Sequence, residues 1–177
     1  ITVSAVNDLP VIESINSLNY SENSSAAVIY NNFVIDDPDD TDMTQAIITI
    51  SNGFTNGDIL AFSNGYGITG SYNSLTGILT LSGLTTIDNY KLALNTITYH
   101  STNEDPTITS ETRTLNWAIT DANSDGAGAA NNSNTESTIN ITPSNDLPEL
   151  SAINTLIYQI NDAATVLDNS ITISDND

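Results

Sequence analysis

Five carboxylates are packed into the seven residues Asp36-Asp37-Pro38-Asp39-Asp40-Thr41-Asp42, directly after an apolar segment that Pro38 prevents from continuing. Unpaired, they repel one another, and a hard cation removes that repulsion. Asp37 and Asp39, at alternate positions of a loop, can converge on one Ca²⁺, an ion that takes about six to eight oxygens. The alternative is a solvated acidic turn. A second run, Asp121-Ala122-Asn123-Ser124-Asp125-Gly126, places oxygen donors at its first, third and fifth positions and glycine at the sixth, like the front half of an EF-hand loop. Its twelfth position is Asn132 and not glutamate, so no autonomous EF-hand is expected. Asp121, at a strand end, reads as a ligand to a shared site; Asp125 is either a ligand or part of a hairpin loop.

The charge balance points the same way. Twenty-two acidic residues face two basic ones, Lys91 and Arg113, for a formal charge of -20, which repels nucleic acid and anionic membrane surfaces. Cations are the natural partners. Cysteine is absent, so neither disulfides nor thiolate zinc sites are available. No apolar run approaches the length of a membrane span, and direct membrane insertion is not expected. His100 is the single histidine, and no Gly-x-Ser-x-Gly turn is present. Catalysis is therefore not expected.

These acids need elements to position them, and the elements come from a repeat. Asn7-Asp8-Leu9-Pro10 returns as Asn145-Asp146-Leu147-Pro148, a shift of 138 residues that also superimposes Ile15, Asn16, Leu18 and Tyr20 on Ile153, Asn154, Leu156 and Tyr158. Farther on, Asp37 and Asp39 return as Asp175 and Asp177. A register this long marks a tandem repeat. The expected organisation is the last strand of a preceding repeat in residues 1–6, one full repeat in 7–144, and the linker and first two strands of the next in 145–177. Such a chain is a piece of a longer array.

Strand-like segments recur between turn signals at residues 11–20, 27–35, 46–51, 59–63, 68–72 and 78–82, and Leu115, Trp117 and Ile119 alternate with Asn116 and Ala118. Only residues 86–95 break the period of two: Ile87, Tyr90 and Leu94 share a helical face, Thr85 or Thr86 can cap it, and Asp88 falls in its first turn. The pattern predicts an all-β antiparallel sandwich with one short helix. In such a sandwich Glu22-Asn23 turns at the end opposite the acidic loop, the end from which the linker Asn145-Asp146 leaves. Glu22, Asn145, Asp146, Asp175 and Asp177 are then expected around bridging Ca²⁺ at one junction. Asn7, Asp8, Asp36, Asp37, Asp39 and Asp121 are the candidates at the other.

Glu22-Asn23 after the first strand, the Asn-Asp-x-Pro linker and the acidic loop together resemble the calcium sites of cadherin-type domains. The stretch from Gly57-Asp58-Ile59-Leu60-Ala61-Phe62 through Ile68-Thr69-Gly70-Ser71-Tyr72, Gly77-Ile78-Leu79-Thr80-Leu81-Ser82-Gly83 and Tyr90-Lys91-Leu92-Ala93-Leu94 resembles the cadherin-like repeats of giant bacterial surface adhesins. Those repeats, including the extender domains of repeats-in-toxin adhesins, are related to chondroitin-sulphate-proteoglycan repeats. The resemblance spans the whole period. It implies an extracellular, Ca²⁺-stiffened immunoglobulin-like or cadherin-like rod segment on the cell surface, whose partners are neighbouring repeats of the same chain or other copies in a fibre. Ile160 departs from the pattern, standing where the first copy has Glu22. Two other functions compete: a polysaccharide-binding sandwich module, and a fibre subunit joined by strand exchange.

Overall fold

The computed structural model describes every residue except Ala5, Ser14, Asp125, Ile153, Asn154, Asn176 and Asp177, together with the backbone but not the side chains of Asn131, Ser133 and Asn134. The chain closes into two units, Ile1–Ser144 and Asn145–Asp177. In the first, the elements run β1 (Val11–Ile12), β2 (Leu18–Ser21), β3 (Ala27–Val28), β4 (Ile35–Asp36), β5 (Asp42–Asn52), β6 (Asp58–Ala61), β7 (Thr69–Asn73), β8 (Ile78–Thr86), α1 (Ile87–Leu94), β9 (Thr98–Ser101), β10 (Thr112–Asp121) and β11 (Asn131–Thr142). The second holds β12 (Glu149–Ser151) and β13 (Thr172–Ser174).

A six-stranded sheet in the order β2-β11-β10-β5-β8-β7 lies over a three-stranded sheet, β3-β9-β6, and a short β1-β4 ladder. Alternation dictates which side chains go inside. Along β5, Met43, Ala46, Ile48 and Ile50 are buried; along β10 every second residue from Arg113 through Leu115, Trp117 and Ile119 to Asp121 is buried. These meet Ile29, Leu60 and Tyr99 of the smaller sheet in one core. Trp117 fills its centre, tilted against Phe33 at 4.9 Å between ring centroids and donating from Nε1 to Ser137 Oγ at 2.8 Å.

The structure corrects two strands. Residues 11–20 do not form one strand but divide into β1 and β2, which join different sheets, and residues 27–35 divide likewise into β3 and β4. The first segment passes from the β1-β4 ladder to the six-stranded sheet and the second from the three-stranded sheet to the ladder, changes of partner that periodicity alone does not reveal. The pairing is not wholly antiparallel either: β2 runs parallel to β11, with Leu18 beside Ile139 and Tyr20 beside Ile141. Residues 1–4 and 6 carry no strand, and none of the described strands pairs with them. The helix forms where its pattern lies: Thr86 caps it, its hydroxyl accepting from Asn89 N at 3.3 Å, and Tyr90 and Leu94 are buried. At the β5 turn, Gly53 has φ +76° and a Cβ there would stand 2.1 Å from the Thr112 carbonyl oxygen, so only glycine fits.

The second unit repeats the opening of the first in its backbone pairing. In the first, Val11 pairs with Asp36 and Ile12 with Ile35; in the second, Glu149 pairs with Ser174 and Leu150 with Ile173, the same register after the shift of the sequence repeat. Asn23 and Asn161 both have positive φ, 61° and 74°. Tyr20 donates its hydroxyl to Ser24 O at 2.8 Å, and Tyr158 donates to Asp162 O at 2.6 Å.

Candidate metal centre

Because β10 buries every second side chain, its two ends bring charge inside. At one end Arg113, fully buried, meets Asp58 of β6: Nε donates to Oδ2 at 2.6 Å and Nη2 to Oδ1 at 3.3 Å. The remaining guanidinium donors reach Ser110 O at 2.7 Å and Pro106 O at 2.6 Å. Asp58 also accepts from Tyr99 Oη at 2.5 Å and from Thr55 N at 2.9 Å. This buried pair is electrically closed and fully hydrogen-bonded, and it links the two sheets.

The other end is not closed. Asp121 is fully buried; its carboxylate accepts from Ala130 N at 3.0 Å, from Asn123 N at 3.3 Å and from Asn7 Nδ2 at 3.0 Å. Asp40, also buried, accepts through Oδ1 from the backbone and hydroxyl of Ser124. Asp37 Oδ1 accepts from Asp39 N at 3.2 Å and from Asp40 N at 3.0 Å. Oxygens of Asp37, Asp40 and Asp121 lie within 4.8 Å of one another. Asp37 Oδ2, Asp40 Oδ2 and Asn7 Oδ1 are buried acceptors that no donor reaches. Burial above all, with the Asp39 carboxylate adding to it against the backbone bonds, pushes Asp37 up to about 6. Among the described residues the ion pairs are Arg113 with Asp58 and Lys91 with Asp88, so neither basic side chain of the chain neutralises this cluster.

The linker is bound into the same place. Asp8 N donates to Asp39 Oδ2 at 3.0 Å, while Asn7 bridges to Asp121. Asn7, Asp8, Asp37, Asp39 and Asp121 are thus brought together at this end. Asp36 does not: it is exposed in β4, on the far side of the alternation. Asp40 takes part without having been singled out. The Asp37 carboxylate caps the backbone of the two following acids, and this turn rotates Asp40 inward, a local bond that a count of alternate positions does not anticipate. Asp125 and Asp177 lie outside the described residues.

Glu22 stands at the opposite end of β11. It donates from its backbone to Thr142 O at 3.0 Å, and its Oε2 accepts from Ser144 N at 2.7 Å, so a buried carboxylate holds the start of the outgoing linker. In the second unit Asn145 Nδ2 donates to Asp146 O, as Asn7 Nδ2 does to Asp8 O in the first, and Asp175 is exposed.

The donor set suits a hard cation. Carboxylates and an amide oxygen, without nitrogen or sulfur ligands, favour Ca²⁺ or Mg²⁺ over transition metals, and partnerless buried oxygens are what an ion would satisfy. Fold and site together define an all-β sandwich with a buried acidic cluster at the end where its linker docks. No family model matches the chain. Over 104 residues, 55% of the chain, the sequence is 33% identical to Halomucin of Haloquadratum walsbyi, and the chain spans 1% of the length of that relative. The human Desmocollin-1 ectodomain overlaps 80% of the chain, which covers 22% of that ectodomain, at 14% identity and a TM-score of 0.30. Among the described residues no helix is long and apolar enough to cross a membrane.

Proposed function

We propose that the chain is a calcium-stiffened extracellular structural repeat, an extender module of a large surface adhesin or surface fibre, and not an enzyme. The observation that carries this reading is the linker docked on the buried acids: Asn7 and Asp8 are hydrogen-bonded to Asp121 and Asp39, around oxygens of Asp37, Asp40 and Asn7 that have no donor. Ca²⁺ held by Asp37, Asp40 and Asp121, with Asn7 and Asp39 beside it, cancels the mutual repulsion of the acids and fixes the linker to the sandwich end. Adhesion belongs to the parent protein; this segment supplies length and stiffness. Its partners are neighbouring repeats, joined through Asn145-Asp146 at the end held by Glu22.

The test is a Ca²⁺ titration of the intact chain by calorimetry, paired with hydrogen exchange at Asp8. The reading expects saturable binding that is lost in Asp121→Asn and slower exchange of the Asp8 amide with Ca²⁺. Absence of saturable binding overturns it.

A further inference from the structure

The acids of the candidate centre share a cleft with the single lysine of the chain. Thr86 pairs with Asp42 across β8 and β5, and Ile87 N donates to Thr41 O at 3.0 Å, so the start of α1 is fastened to the acidic loop. Between them lies a cleft of about 420 Å³ whose walls include Ile35, Asp36, Asp37, Asp40, Asp88 and Lys91. Asp40 is 3% exposed, and its Oδ2, like Asp37 Oδ2, is reached by no donor. Arg113 is closed off by Asp58, which leaves Lys91 as the basic side chain on this cleft. Its ammonium is held elsewhere: Nζ donates to Asp88 Oδ1 at 3.3 Å, three residues back on the helix.

We infer that Asp88 is a positioning residue for the cation centre: it holds Lys91 off Asp37 and Asp40, and without it the lysine ammonium enters the cleft and competes with Ca²⁺ for their oxygens. This role rests on the calcium reading of the same acids and adds what sets their affinity. A primary ammonium carries three donors on a flexible stem, which suits two carboxylate oxygens that no N–H reaches. The stem is already placed: the Lys91 side chain is 31% exposed and that of Asp88 86%, so the lysine lies along the cleft while its partner stands in solvent. An exposed pair of this kind is weak and screened by salt, whereas the same charge facing buried carboxylates interacts at a lower effective dielectric. Desolvation of the ammonium opposes the inward move, so one exposed carboxylate is enough to decide between the two positions. Ca²⁺, with two charges and about six to eight oxygens to fill, displaces the lysine, with an apparent affinity reduced by the fraction of time the ammonium occupies the cleft.

The experiment is a double-mutant cycle on the intact chain. Ca²⁺ is titrated by calorimetry into the unaltered chain, Asp88→Asn, Lys91→Met and the two changes combined, at about 0.15 M salt, where exposed charges more than about 8 Å apart are largely screened. Asp88→Asn is expected to weaken Ca²⁺ binding about threefold or more, but to change it by less than about 1.5-fold once Lys91 is methionine. Recovery of affinity in the combined variant also excludes a loosened helix as the cause of the loss. A second readout needs no ion. Because Lys91 is the only lysine, its acylation by an amine-reactive reagent, followed by peptide mass spectrometry, reports where the ammonium lies. In chelator acylation is expected to be slower in Asp88→Asn than in the unaltered chain, and to speed up when Ca²⁺ is added. Equal effects of Asp88→Asn with and without Lys91 overturn the inference, because Asp88 then acts on the ion directly. Faster acylation of Asp88→Asn in chelator overturns it too, since the freed ammonium is then in solvent. If the unaltered chain binds no Ca²⁺, the calcium reading falls and the competition with it, whereas Ca²⁺ binding with an additive cycle removes only the role of Asp88.

Discussion

Arg113 and Asp121 lie on the same inward face of β10, eight positions apart, and among the described residues Arg113 is ion-paired and Asp121 is not. Arg113 is neutralised by Asp58, whereas Asp121 sits among Asp37 and Asp40 with no basic side chain paired to any of them among the described residues. The same alternation that builds the core thus creates one closed and one open electrostatic site. Each has its own experimental signature.

Breaking the closed site leaves a buried charge. Arg113→Met strands the Asp58 carboxylate and is expected to cost about 3–5 kcal/mol in urea unfolding, while the further change Asp58→Leu recovers part of that loss because an apolar pair replaces the ions. A double variant less stable than Arg113→Met alone would contradict the assignment.

At the open site the sign depends on the ion. Two unit charges about 4 Å apart repel by about 1 kcal/mol in water and about 4 kcal/mol at an effective dielectric constant of 20, so Asp121→Asn should raise the melting temperature in chelator and lower it in Ca²⁺. Differential scanning fluorimetry in the two buffers reads both arms.

How much of this was legible in the sequence follows from the range of the interactions. Period-two alternation and the capped helix are local, so β5 to β8, the strand about Trp117 and α1 stand where pattern places them, while β9 and most of β11, in polar stretches, were not singled out. The breaks within residues 11–20 and 27–35 are set by changes of partner sheet, and the parallel pairing of β2 with β11 joins residues more than a hundred positions apart. Neither leaves a local mark. At the site, the acidic loop and linker were visible as composition and repeat, but Asp40 is turned inward by the backbone bonds to Asp37 and Asp36 is turned outward by the strand. Arg113 is counted among the charges in the sequence; its burial against Asp58 depends on a contact 55 residues away.

Alkaline pH probes the tyrosines of the core. Burial, with the Asp58 charge adding to it, pushes Tyr72 from 10.0 up to about 12; burial does the same for Tyr90, against its bond to Gly83 O; and Tyr99 is raised further. The folded state holds these protons more tightly than the unfolded chain, so their contribution to stability is complete below pH 10 and is lost as pH rises toward about 12. Equilibrium unfolding in urea from pH 8 to 12 should show a midpoint that is flat at first and then falls. Tyr90→Phe, which cannot ionise, flattens part of that fall.

The core anchor sets the scale of packing. Trp117→Ala removes the central ring, its contact with Phe33 and its bond to Ser137, with an expected loss of about 3–5 kcal/mol by denaturant unfolding. Val28→Ala, at an exposed position, is expected to stay within about 0.5 kcal/mol.

The most direct test of the calcium assignment is thermal melting of the intact chain in millimolar Ca²⁺ and in chelator, followed through the single tryptophan. A ligand that binds only the folded state at about a hundred times its Kd adds about 2.7 kcal/mol, so the account predicts a clearly higher melting temperature in Ca²⁺ and loss of that difference in the triple variant Asp37→Asn, Asp40→Asn, Asp121→Asn. Identical melting curves in Ca²⁺ and chelator would contradict it.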